Sequence, residues 1–123
     1  VKCLEFMQKT LVGIDLVEVK RFNSFDLKSR FAKNIFSKKE LEDFEKRNKS
    51  RETLAGRFAA KEAVKKTLDE NVKLNIIEVL SEKNGRPFVN FLDKNLSKKY
   101  DFEISITHTD KQAIAVCLTR INL

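Results

Sequence analysis

The sequence predicts an α+β domain in which helices pack on a largely antiparallel β-sheet. A β-branched apolar run opens it, three stretches of helical period follow, and after Asn71 the period shifts towards two, with turn signals between the apolar runs. The resulting order, β-ααα-ββ-ββ, segregates the helices from most of the strands, which indicates α+β rather than alternating α/β architecture.

The first strand is TLVGIDLVEV (10–19), with Asp15 at its centre. In KRFNSFDLKSRFAKNIF (20–36), Phe22, Phe25, Phe31 and Ile35 recur at roughly helical intervals with Lys20, Arg21, Lys28, Arg30 and Lys33 between them. This predicts a basic helix, broken near Asn23 and Ser24. SKKELEDFEKRN opens a second helix, because Ser37 stands three residues before Glu40 in a capping-box pattern. The third and longest helix runs from about Glu52 to Asp69 and contains GRFAAKEAVKK (56–66). IIEVLSEK and PFVNFL flank NGRP, whose Asn84-Gly85 pair signals a hairpin. The polar DKNLSKKY separates that hairpin from a second one, DFEISITHT and AIAVCLTRINL, which turns at Asp110 and Lys111. Residues 10–123 form one domain, and residues 1–9 are an N-terminal extension or expression remnant, with Met7 a candidate natural start.

A chain of 123 residues with 41% apolar side chains can bury a modest core without staples. No apolar run reaches the roughly 20 residues that span a bilayer, and none near the start resembles a signal peptide. Cys3 and Cys117 make no disulfide framework, and Cys117 lies in an apolar strand where a reduced thiol is the norm. A cytoplasmic setting is expected, without membrane association. The net charge of +7, from 25 basic and 18 acidic residues, asks for a polyanionic partner unless it is only a lysine-rich surface. Three glycines exclude Walker and Rossmann phosphate loops.

Two carboxylates stand in apolar contexts. Asp15 sits between Ile14 and Leu16, and Glu62 shares a helical arc with Ala55, Phe58, Ala59 and Ala63 that is expected to face the core. Each has a plain structural explanation: a local backbone bond for Asp15, an i,i+4 salt bridge to Lys66 for Glu62. Together they could hold one hard cation, since Mg²⁺ takes one or two carboxylates and completes its shell with water and phosphate. Lys66 would then be a phosphate ligand or a proton donor, and the alanines would leave room for the phosphate. His108, the only histidine, ends a strand among Ser105, Thr107 and Thr109, as a phosphate contact or as a solvated turn residue.

GIDLVEVKR, LAGRFAAKEAVKK, NGRP and SITHT stand in an order and spacing that resembles the carrier-protein synthase type of 4′-phosphopantetheinyl transferase, from about Leu11 to Thr119. That resemblance implies a phosphopantetheinyl-transferase fold and a homotrimer with active sites at subunit interfaces. It also implies Mg²⁺-dependent transfer of 4′-phosphopantetheine from coenzyme A to a serine of an apo acyl carrier protein, in fatty acid biosynthesis. Carried over position by position, it makes Asp15 and Glu62 the metal ligands and Lys66 a catalytic phosphate contact. His108 and Thr109 would touch the coenzyme's 3′-phosphate, with Asn84, Gly85, Arg86 and Pro87 beside the adenine, both elements coming from the neighbouring subunit. Arg21 would meet the carrier protein. The acidic carrier gives the basic residues Lys20, Arg21, Lys28, Arg30 and Lys33 a steering role. The base that accepts the serine proton stays open between Glu62 and a water on the cation. A basic nucleic-acid-binding module without catalytic activity is the competing expectation, resting on the charge and the Phe-rich stretch.

Overall fold

A computed structural model describes residues 8–48 and 50–122. The chain runs β1 (Gln8–Glu18), a 3-10 turn (Val19–Phe22), α1 (Arg30–Ile35), α2 (Lys38–Arg47), α3 (Arg51–Lys65) and a second 3-10 turn (Leu74–Ile76). It continues with β2 (Ile77–Ser81), β3 (Pro87–Phe91), α4 (Lys94–Ser97), β4 (Tyr100–His108) and β5 (Gln112–Asn122). The expected α+β class is present, but the strands form two antiparallel sheets, β1-β5-β4 and β2-β3. Gln8 and Lys9, assigned above to the extension, pair with Asn122 and Ile121 in β1. Cys3 and Met7 lie outside the described residues.

Strict alternation sorts β1 into two faces. Leu11, Gly13, Asp15 and Val17 point inward, whereas Val12, Ile14 and Leu16 are 66%, 60% and 51% exposed. On β5, Ala113, Ala115, Cys117, Thr119 and Ile121 are buried against the helices. Helix α3 crosses this inner face through Ala55, Ala59 and Ala63, each fully buried. The small side chains therefore serve close helix–sheet approach. They leave no room for a ligand, contrary to the expectation above. The closest point is Gly13, where an added Cβ would lie 2.0 Å from the Ala63 carbonyl oxygen.

The basic stretch is not one helix. Asp26 accepts the Lys28 amide at 2.9 Å and, through its carbonyl, the Ser29 hydroxyl at 2.7 Å. Ser29 then caps α1 by accepting the Ala32 amide at 3.0 Å. Such local side-chain bonds compete with helix continuation, so Lys20 and Arg21 stay on the 3-10 turn and only Arg30 and Lys33 are helical. The spacing of the phenylalanines reports the core. Phe22 stacks edge-on with Phe25 and Phe58, and Phe36 with Phe25 and Phe44.

Helix α2 begins on the full capping box expected of Ser37 and Glu40. Helix α3 stops at Lys65, four residues short of the expected end; just beyond it the Thr67 hydroxyl donates to the Val64 carbonyl at 2.7 Å. The β2–β3 turn has Gly85 at φ +89°, a conformation that favours glycine. The DKNLSKKY connection contains α4, whose N-terminal amides at Asn95 and Leu96 are accepted by Asp93 Oδ1.

Candidate active site

The contact between Gly13 and Ala63 sets Asp15, two residues further along the same face of β1, beside the last turns of α3. Lys66 Nζ reaches it from the helix end, donating to Asp15 Oδ1 at 3.1 Å and to the Ile14 carbonyl at 2.8 Å. The i,i+4 bridge between Glu62 and Lys66, the plain alternative for that pair, is not made. Lys66 lies just past the helix and is exposed, rather than facing the core. Glu62, one turn earlier, is half-buried on the flank of α3, and among the described residues its carboxylate has no hydrogen-bond or ion-pair partner. Asp15, by contrast, has a side chain only 19% exposed. Asp15 and Lys66 thus form an ion pair at the edge strand of the larger sheet, one helical turn from Glu62.

His108 lies at the other end of α3. It lines a cleft of about 350 Å³ together with Thr53 and Gly56 of α3, Ile106 of β4, and Gly85 and Pro87 of the β2–β3 turn. Arg47, Arg57 and Lys83 stand in the same walls with Glu52 and Glu82, three cations against two carboxylates. His108 Nδ1 lies 3.2 Å from the Thr109 carbonyl, so a proton there would leave Nε2 open to a ligand. The Thr109 hydroxyl accepts the Lys111 and Gln112 amides and shapes the β4–β5 turn. Asn84 is similarly employed, its Oδ1 accepting the Arg86 amide at 3.0 Å. Gly85, Pro87 and His108 are brought together; Asn84, Arg86 and Thr109 do not line the cleft.

The expected carrier contacts divide. Arg21 lies 4.9 Å above the Phe58 ring, while Arg30 begins α1. Lys28 and Lys33 flank an apolar groove of about 900 Å³ floored by Leu27, Phe36, Leu41 and Ile76. Of the Phe-rich stretch, Phe22 and Phe36 are buried and Phe25 is half-buried, which leaves Phe31, 59% exposed, as one isolated ring rather than a stacking platform.

Sequence reasoning missed the buried charges behind the site. Lys61, beside Glu62, is fully buried with Glu40, and their side chains pair at 2.5 Å. Burial pushes the Glu40 carboxyl above its ordinary range and the Lys61 ammonium below its own, each opposed by the partner's charge. Arg57 donates to the Val79 carbonyl at 2.5 Å and to Ser81 Oγ at 2.7 Å, which ties α3 to the hairpin that carries Gly85. The only available sequence signal was a lysine and an arginine on the apolar face of a helix.

Among the described residues, no cluster of three or more His, Cys, Asp and Glu side chains could enclose a metal. Asp15 and Glu62 are carboxylates, the ligand type of Mg²⁺ ions that complete their shell with water and phosphate. Residues 11–117 match the family model described as the 4′-phosphopantetheinyl transferase superfamily. The chain is 41% identical over 113 residues to the holo-[acyl-carrier-protein] synthase of Clostridium tetani, covering 85% of this chain and 90% of that one. It is 38% identical to that of Fusobacterium nucleatum over 116 residues, covering 87% and 95%. Its fold is similar to that of an ACPS–CoA complex from Chronobacterium ammoniagenes, with a TM-score of 0.75 at 29% identity over 94% of this chain and 99% of the other. The Bacillus anthracis holo-(acyl-carrier-protein) synthase in complex with CoA (3′,5′-ADP) gives 0.73 at 28% identity, over 90% and 96%. With its motifs, its fold and nearly its whole length in agreement, the chain belongs to the 4′-phosphopantetheinyl transferase superfamily.

Proposed function

We propose that this chain transfers 4′-phosphopantetheine from coenzyme A to a serine of an apo acyl carrier protein and releases adenosine 3′,5′-bisphosphate. The observation that carries the reading is the Asp15–Lys66 contact beside the unpartnered Glu62, in a chain whose relatives are holo-[acyl-carrier-protein] synthases. In the reaction the serine Oγ bonds to the phosphorus that bears pantetheine, and that phosphorus releases its bridging oxygen to the adenosine side. Catalysis of this kind rests on positioning and charge neutralisation. Asp15 and Glu62 would hold Mg²⁺, which when bound neutralises pyrophosphate charge. Lys66, half-exposed and linked to Asp15 by one ion pair, turns to the departing phosphate and balances its growing charge. The serine proton would pass to Glu62 or to a water on the cation.

Two features support self-association, as the homotrimer that the resemblance implies. The outer face of the larger sheet carries registered apolar pairs, Val12 with Leu118, Ile14 with Val116 and Leu16 with Ile114. A continuous apolar patch of this kind is uncommon on a monomer. Gly56 and Glu52, in the His108 cleft, lie six to ten residues before Glu62, which is about 9–15 Å along the helix axis. That separation supports a site in which the cleft of one copy meets the Asp15 edge of another. The acidic carrier would dock on the surface of Arg21, Lys28 and Arg30, in the cytoplasm where fatty acid biosynthesis uses it. No described helix is long and apolar enough to cross a membrane.

The test is to incubate the protein with coenzyme A, Mg²⁺ and apo acyl carrier proteins, then weigh the carriers. A phosphopantetheine mass gain is expected; none with any carrier at any salt concentration refutes the reading. Glu62→Gln should keep the melting temperature and lose about 100-fold or more in kcat, because it removes an anionic ligand.

A further inference from the structure

We infer that Lys61, with Glu40 as its partner, is a positioning residue that sets the rotation of α3 and so the aim of Glu62 and Lys66. The inference rests on the proposed role of those two side chains. Lys61 Nζ donates to Glu40 Oε1 at 2.5 Å, to the Ile77 carbonyl at 2.5 Å and to the Leu74 carbonyl at 3.2 Å. These acceptors use all three ammonium protons. Glu40 is held as firmly: Oε1 also accepts the Ser37 amide at 2.8 Å and Oε2 the Val79 amide at 3.0 Å. One side of α3 is thereby clamped to the start of α2 and to β2. On another side, Ala63 presses on Gly13 of β1. Residues 61 and 63 are thus anchored to different layers, and Glu62 lies between them.

The geometry gives this clamp a functional scale. Side-chain tips stand about 6 Å from a helix axis, so a 10° rotation displaces them by about 1 Å. A misplacement of about 1 Å can cost a catalyst about 100-fold. An apolar pair of the same volume would fill the space and keep the fold, since a buried ion pair adds little net stability over a hydrophobic replacement. It would not supply three directed bonds. Directional restraint is what the charges add here.

The test compares Glu40→Gln/Lys61→Met with the unaltered protein by thermal melting, kcat, KM for coenzyme A, and the melting shift induced by coenzyme A with Mg²⁺. Expected are a cooperative fold with a lowered melting temperature, because Met leaves the Leu74 and Ile77 carbonyls without their donor, a kcat at least 10-fold lower, and a smaller coenzyme-induced shift. A stably folded double variant with unchanged kcat overturns the inference. If the double variant does not fold, Glu40→Gln alone decides. It keeps Lys61 on its two carbonyls while removing the charge partner, and a folded Glu40→Gln with unchanged kcat overturns the inference equally. Lys61→Arg, which retains a cation opposite Glu40, should recover part of the lost turnover, and a kcat no higher than that of the double variant counts against it. Glu62→Gln serves as the control for the underlying reading: full activity there removes the reading itself, whatever the Lys61 variants do.

Discussion

Gly13→Ala offers a direct probe of how β1 and α3 hold the site. The new methyl carbon would sit 2.0 Å from the Ala63 carbonyl oxygen and 3.0 Å from its carbon. Carbon–oxygen contacts are normally no closer than about 3.3 Å, so strand and helix must separate by about 1.3 Å. The obstructing atoms are backbone and cannot move aside by a rotamer change. Overpacking costs typically reach about 3 kcal/mol, and this case belongs at the upper end. For a chain of this size that corresponds to a melting temperature about 10 °C lower. Asp15, two residues away, would recede from Lys66, so kcat should fall further than the loss of folded protein explains. Thermal melts paired with activity measured well below the transition separate the two effects. An unchanged melting temperature would show that the strand and helix are not in contact there.

Val12→Glu alters the most exposed large apolar side chain of the outer sheet face. It should fold normally, sediment as a smaller species and lose activity, whereas a monomer that retains full activity would exclude an active site shared between copies. Glu70 accepts bonds from the Tyr100 hydroxyl at 2.5 Å and from Lys99 at 3.0 Å, and these hold its carboxyl below the ordinary range. Its contribution to stability is present above the ordinary carboxylate value near 4.3 and is lost as pH falls through the lower folded value. Glu70→Gln should flatten the acid side of the stability profile, and an unchanged acid slope would count against the contact. Burial pushes the Cys117 thiol up to about 11, so in the folded protein it should resist alkylation at pH 8 until denaturant is added. Rapid native-state labelling at Cys117, separated from Cys3 by peptide mapping, would contradict its burial.

Features with short-range causes were legible in the sequence. Ser37 and Glu40 announce a helix start because both bonds of the capping box lie within one turn. Asn84-Gly85 announces a hairpin because few residues tolerate the backbone angles of its turn. What escaped depends on partners distant in the chain. Lys66 was read against Glu62 four residues away, yet its ammonium prefers Asp15, across 51 residues of sequence. Glu40 was recognised as a cap, but its second bond, to Lys61, exists only after α2 and α3 pack. The basic stretch misled because phenylalanine spacing reports burial in a loop as readily as in a helix. Asp26 and Ser29 are the residues that end helical continuity there.

The sheet order has a consequence for folding. β1 pairs along its whole length with β5, so residues 8–18 find their partner only at residues 112–122. During synthesis, the strand that carries Asp15 would leave the ribosome well before its partner β5. Its neighbours Val12, Ile14 and Leu16 would stay unpaired for that interval. Closing a loop of this length is entropically slow, and contacts of such high sequence separation retard folding. The Asp15 edge is therefore expected to form slowly, with the waiting apolar strand an aggregation hazard on the way.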